Sequence, residues 1–385
     1  MAKPLKYGWT GLLTVILFFF CSFSYGQTES TIHNNQDTEE TESEGRFDAN
    51  SVILEHVQDS HFWHFFSING HPVSIALPVI IYIPQSGFSV FMSSKFHHGE
   101  KAYHGFRIMT EEYIEKYDLD KMSYFPGRII PVNADGSPDF KTPIYDISLT
   151  KNVLQAILSL LILALIFIGV AKKYKRNPNK APSGFQNAVE PIIIFIRDEV
   201  ARAYLGEKAD KYLPLLLTLF FFIWINSLLA LIPGSTNVAG NLAFTGALAL
   251  FSFIYILLST NKHYWIHITW PPGIPIWVKP ILVPVEILGI FTKPFALMIR
   301  LFANMLAGHM IILSIISMIF IFGGMLAAVG WGFSIVSVGF TIFMYFVELL
   351  VGLIQAFIFA NLTALFIAQA FENGPHEEFE EEIVV

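Results

Sequence analysis

Apolar residues in this chain are gathered into long runs, and nearly all of the long runs lie after residue 150. A helix needs about 20 residues to cross a hydrocarbon core about 30 Å thick. Runs at 153–170, 213–232 and 242–258 are of that order, and two longer ones extend from about Pro284 to Phe322 and from Gly332 to Phe371. The pattern predicts an all-α polytopic membrane protein with five transmembrane helices. About 40 residues at 1.5 Å rise make roughly 60 Å of helix, twice the apolar thickness, which tilt near 20° cannot absorb. The last two helices are therefore expected to form a long slanted hairpin, shaped to lie against a cylindrical partner. Phe185 to Leu205 mixes apolar residues with Glu190, Arg197, Asp198, Glu199 and Arg202. That mixture predicts an amphipathic helix lying in the membrane plane.

The first 150 residues read differently. Lys3 and Lys6 precede a short apolar run, Leu12 to Phe20, and then small or polar residues to Gly26. This is the order of a secretory signal peptide over residues 1–26. Cys21, the single cysteine, falls inside it, so the mature chain is expected to lack thiol chemistry. Residues 27–51 are acidic and polar, as in a disordered linker. Residues 52–148 have ordinary globular polarity, a strand-like run from Val73 to Tyr82, and turn signals at Asn69-Gly70, Gln85-Ser86-Gly87 and Asp135-Gly136. They predict a small β-rich extracytoplasmic segment. The membrane domain then covers 149–371, and an acidic tail, 372–385, ends the chain.

Charge orients these pieces. Lys172, Lys173, Lys175, Arg176 and Lys180 follow the first span, and loops rich in Lys and Arg stay cytoplasmic. The signal peptide independently demands that the preceding segment lie outside. The mature amino terminus is thus expected outside and the carboxyl terminus inside. Overall the chain is 54% hydrophobic and 14% charged, with a net charge of −7. No basic face is available to neutralise nucleic-acid phosphates, so no nucleic-acid partner is expected.

Scarcity of charge makes the few ionisable groups at membrane depth informative. The penultimate stretch holds Glu286, Lys293, Arg300, Asn304 and His309, and the last holds Glu348 and Gln355. Such side chains cost roughly 2.5–3.5 kcal/mol each on insertion scales and mark functional sites by default. At 100° per residue, Glu286, Lys293, Arg300 and Asn304 fall within about 40° of one stripe, whereas His309 is about 180° from Arg300. Arg300 stands 23 residues before Gly323 and Gln355 stands 23 after Gly332, so an antiparallel hairpin puts them at similar depth. His309 and Glu348, 14 and 16 residues from the same turn, form a second pair nearer the outside. Snorkelling or helix–helix glue is the structural alternative, weakest for Arg300 and strongest for Glu286 and Lys293 near the inner interface.

At these residues the chain resembles subunit a of the F-type ATP synthase. The resemblance rests on Lys293-Pro294 followed by Arg300-Leu301-Phe302-Ala303-Asn304-Met305-Leu306-Ala307-Gly308-His309, and on Leu353-Ile354-Gln355-Ala356-Phe357-Ile358-Phe359. It implies a proton-translocating stator subunit of the F0 sector, in a bacterial inner membrane, without catalysis or cofactor of its own. Its implied partners are the c-ring, the peripheral-stalk subunit b and the rest of the complex. Arg300 would face the c-ring carboxylate, with Asn304 and Gln355 flanking it. His309 and Glu348 would serve the outer half-channel and Glu286 the cytoplasmic side, with Lys293 a secondary candidate. Ala296 and Ser227 depart from residues common in the family.

Other classes fit less well. A stand-alone ion-coupled transporter predicts inverted repeats and broken midplane helices, and neither is legible. No GxxxxGK[ST] loop and no His-Glu-x-x-His occurs. The histidines of the exported segment (His56, His61, His64, His71, His97, His98, His104) are read as packed or solvent-facing rather than metal-binding.

Overall fold

The computed structural model describes residues 58–370 apart from 69–70, 121–123, 125, 134, 177–180, 233, 261, 271–273 and 326. The expected signal peptide, acidic linker and tail, with Cys21, Asn69-Gly70 and Lys180, lie outside the described residues. Contacts divide the chain into two compact units. One gathers the chain up to Leu158 with Leu229–Val238 and Leu306–Glu348; the other gathers Ser159–Leu228, Ala239–Met305 and the chain from Leu349 onward.

The amino-terminal part of the first unit is β-rich. Strands β1 (Phe62–Ile68) and β2 (His71–Ala76) form an antiparallel pair, with Phe62 opposite Ala76 and a bulge between His64 and Phe66. Strand β3 (Pro78–Ile83) lies between β4 (Gly87–Met92) and β7 (Tyr145–Asp146), while β5 (Phe106–Ile108) pairs with β6 (Ile129–Pro131). The run expected as one strand from Val73 to Tyr82 breaks at Leu77. There the backbone N–H leaves the ladder and donates to His61 O and Ser93 Oγ, with the Leu77 side chain buried. Gly87, at φ 81°, turns the chain from β3 into β4, a conformation glycine adopts without steric cost. Alternation along β3 sends Val79 and Ile81 into a core with Phe96, Phe106, Ile108 and Ile129. The next residue of β6, Ile130, faces the other way, into a second cluster with Met109, Val132 and the Tyr113 and Ile114 of helix α1 (Glu111–Lys116).

Among the described residues, five helical stretches are long and apolar enough to cross a membrane, as the hydropathy predicts. The first is α2 (Lys151–Arg176). Next comes α3 (Phe185–Phe195), continued by a π-helical turn, Ile196–Arg202, and short turns to Lys208. Gly206, at φ 52°, separates this segment from α4 (Ala209–Ala230). Val189, Ile196, Val200 and Ala201 are buried along one side of the α3 segment, while Arg197 and Arg202 pair with Asp198 at 2.8 and 3.0 Å on a more exposed one. Helices α5 (Leu242–Ser259) and α6 (Lys262–Thr269) lead to α7 (Lys279–Met325, 47 residues) and α8 (Ala327–Gln369, 43 residues).

Helix α7 starts before the expected Pro284 and runs through both Pro284 and Pro294. Proline is tolerated in membrane helices where neighbours re-satisfy the freed carbonyls. The turn between α7 and α8 is tighter than its glycines suggested. Gly323 and Gly324 remain in α7 and Gly330 and Gly332 already belong to α8. A Cβ on Gly330 would stand 2.6 Å from the Gly323 Cα, so glycine at this position lets the two helices meet backbone to backbone.

Candidate functional site

In the second unit, α7 buries Leu297, Leu301 and Met305, spaced one turn apart, each at 3% exposure or less. The same periodicity brings Arg300 and Asn304 to a separate face, where both are exposed beside the small, exposed Ala296 and Ala303. Arg300 forms no ion pair among the described residues. On α8, Gln355 is buried at 7%, within a stripe of Ala356, Phe359 and Ala360. Gly352 is the contact point of this stripe. A Cβ there would come within 2.7 Å of Ser227 Cβ on α4 and 3.5 Å of Met305 Cε on α7. With Met305 opposite Gly352, antiparallel counting sets Arg300 opposite about position 357, within a turn of Gln355.

Nearer the amino terminus of α7, the Lys293 ammonium donates to Gln369 Oε1 at 2.7 Å and lies 5.1 Å from the centre of the Phe366 ring. Glu286 is exposed, and its charge reaches both Lys293 and Tyr264. Burial, then the Glu286 carboxylate, pushes the Tyr264 hydroxyl above the usual phenol value. A cavity of about 20 Å³, room for one water-sized group, is lined by Ser252, Tyr264, Lys293 and apolar neighbours.

The other predicted pair lies in the first unit. Glu348 of α8 is buried at 6%, its carboxylate held against Gly308 of α7, the residue before His309. A Cβ on Gly308 would meet Glu348 Oε1 at 3.5 Å, so a small residue leaves this carboxylate its space. Glu348 Oε2 is buried without a hydrogen-bond partner among the described residues. His309 is half-buried on the adjoining position.

Sequence reasoning passed over a polar network at the amino-terminal end of α2. Gln155 and the Thr236 backbone exchange two hydrogen bonds, at 2.6 and 2.8 Å, and the Thr236 hydroxyl donates to Asn152 Oδ1. The loop carrying Thr236 is held from the β-rich part as well, since the Trp63 indole N–H donates to Gly234 O at 2.7 Å. Asp59 Oδ1 and Ser60 O accept from the backbone N–H groups of Asn152 and Lys151. In the second unit, Asn226 donates to Ser159 Oγ at 2.9 Å. The available signal was a polar side chain inside an apolar run, as at Gln155 and Asn226. Among the described residues no group of three His, Cys, Asp or Glu side chains is placed to hold a metal ion.

A family model described as ATP synthase A chain matches residues 153–368, which include all seven candidate side chains. The chain belongs to the ATP synthase A chain family. Relatives named ATP synthase subunit a agree. One from Chlorobium phaeobacteroides is 38% identical over 293 residues, 74% of this chain and 81% of the relative. One from Chloroherpeton thalassium is 40% identical over 245 residues (62% and 71%), and one from Myxococcus xanthus 40% identical over 241 residues (60% and 76%). A multi-pass membrane location follows from the A chain family and the five apolar helices together. The β-rich part lies outside that match. Residues 52–147 fit a second family model, described as a domain of unknown function.

Proposed function

We propose that this chain is the proton-translocating stator subunit of a bacterial F-type ATP synthase, with Arg300 facing the carboxylate-bearing helices of a rotating c-ring. The observation that carries this reading is the exposure of Arg300 on an apolar helix with no ion-pair partner among the described residues. A cation at membrane depth costs roughly 2.5–3.5 kcal/mol, which an anionic partner from outside the chain offsets. Ala296 and Ala303 beside it leave room for close approach of a partner helix.

The chemistry then follows from the charges. A rotor carboxylic acid arriving beside Arg300 is stabilised in its ionised form and releases its proton. Once past the arginine it must take up another proton before meeting lipid, because a bare carboxylate in hydrocarbon is prohibitively expensive. Two offset half-channels make that exchange directional. His309 and Glu348 serve the outer one, and Asn304 and Gln355 flank the arginine. Glu286 opens the inner one, with Lys293 beside it. The chain carries out no catalysis and needs no cofactor; the peripheral stalk, subunit b included, holds it still while the ring turns. In this reading the α3 segment lies along the cytoplasmic surface of the inner membrane, and α7 and α8 slant across it against the ring. The mature amino terminus and residues 52–148 are outside, and the carboxyl terminus is inside.

The test is Arg300→Ala in the assembled complex, assayed in inverted membrane vesicles. Proton-driven ATP synthesis is expected to vanish while the complex still assembles. Normal coupled synthesis by that variant would refute the assignment.

A further inference from the structure

An open apolar groove of about 360 Å³ lies where the inner end of α2 meets the start of α3. Its α2 wall is Leu165, Ile166 and Val170, and its α3 wall is Phe185, which is 61% exposed, with Gln186. Gly169 forms the gap between them, and a Cβ built on it meets nothing within 4 Å. Leu161, Leu165 and Ile168 on the same helix are 54%, 63% and 52% exposed, a surface suited to lipid. At the polar end the groove stops at Lys173, one of whose protons goes to Ser183 O. Lys172, Lys175 and Arg176 lie within one turn of it, all exposed. Tyr174 lies near Gln186 and Glu190 of α3.

We propose that this groove is a binding site for an anionic phospholipid, an acyl chain lying over Gly169 and the headgroup phosphate on Lys173 and its basic neighbours. Charge complementarity selects this occupant. Lys173 at the polar end of an apolar groove, with three more cationic residues within one turn of the same helix, matches a phosphate joined to a hydrocarbon chain. A zwitterionic lipid would gain the apolar contact without the charge. The site rests on α2 crossing the bilayer and is independent of any role for Arg300.

The experiment uses the assembled complex containing the full chain, reconstituted in nanodiscs with photoactivatable phosphatidylglycerol or phosphatidylcholine carrying the same diazirine-labelled acyl chain. Cross-linked peptides are read by mass spectrometry. Each basic side chain near an anionic surface contributes about fivefold in affinity. Phosphatidylglycerol is therefore expected to label residues 165–186 at least fivefold more than phosphatidylcholine, and Lys172→Gln with Lys173→Gln should erase most of that preference. Gly169→Phe, whose side chain projects into open space, should reduce labelling by both lipids without affecting assembly. Equal labelling by the two lipids, labelling indifferent to Gly169→Phe, or cross-links to another subunit in place of lipid would each overturn the proposal.

Discussion

The carboxylate of Glu348 rests against Gly308, 40 residues earlier in the chain, with Oε1 3.5 Å from where a Cβ on that glycine would stand. An alanine there would make ordinary van der Waals contact, but a branched side chain would push the carboxylate aside. Gly308→Ala is expected to conduct protons nearly normally. Gly308→Val should lower ATP-driven proton pumping by roughly tenfold or more, as misplaced reacting groups do. Pumping followed by acridine-dye quenching checks this, and unimpaired pumping by the valine variant would count against a proton-carrying role for Glu348.

His309 adjoins that contact. If the two residues share one outer proton site, exchanging them should preserve more conduction than removing either. His309→Ala, Glu348→Ala and the exchanged double variant would be compared in de-energised vesicles; equal loss in all three would separate the residues functionally.

Gly352 has no room for a methyl group, since a Cβ would lie 2.7 Å from Ser227 Cβ. Gly352→Ala should therefore destabilise the packing of α8 by about 1–3 kcal/mol. The expected readout is an earlier thermal loss of coupled activity in the purified complex, partly restored by Ser227→Gly. An unchanged thermal midpoint would mean that the helices separate freely here.

Trp63 and Asn152 hold the loop that carries Gly234 and Thr236. Trp63→Phe removes one hydrogen bond, worth about 1 kcal/mol. Thr236→Val takes the hydroxyl from Asn152, leaving a buried polar group unsatisfied at a cost of about 1–3 kcal/mol. Limited proteolysis of the 232–238 loop should speed up in both variants, more in the second, and the reverse order would displace the Thr236 contact from its central place.

Acid should loosen the same region. Burial raises the Asp146 carboxyl, but His61, 3.3 Å away, and the Ser148 N–H outweigh it, so its pKa lies below the usual carboxylate value. A depressed folded-state pKa contributes stability that is fully present above the unfolded value, about 3.9, and is lost as pH falls through the lower folded value. Protection of the Ser148 amide from hydrogen exchange, corrected for intrinsic rate, should hold from about pH 5 to 8 and fall below about pH 4. Asp146→Asn should flatten that acid limb; a limb unchanged by the substitution would assign it to other carboxylates.

The local content of the chain determined a good deal by itself. Apolar length is a property of consecutive residues, so five long helices and a smaller polar part before residue 150 were legible without coordinates. The cost of charge in hydrocarbon is local too, which is why Arg300, Asn304, His309, Glu348 and Gln355 stood out one by one. Antiparallel counting even put Glu348 at a depth similar to that of His309, because helical rise is regular. Only the tertiary structure decided what the regular elements meet. The break at Leu77 depends on His61 and Ser93, the tight turn between α7 and α8 on Gly330 clearing Gly323, and the Lys293–Gln369 bond on two residues 76 positions apart. Those contacts are set by close packing and hydrogen-bond satisfaction between distant segments, and no window along the chain contains both partners.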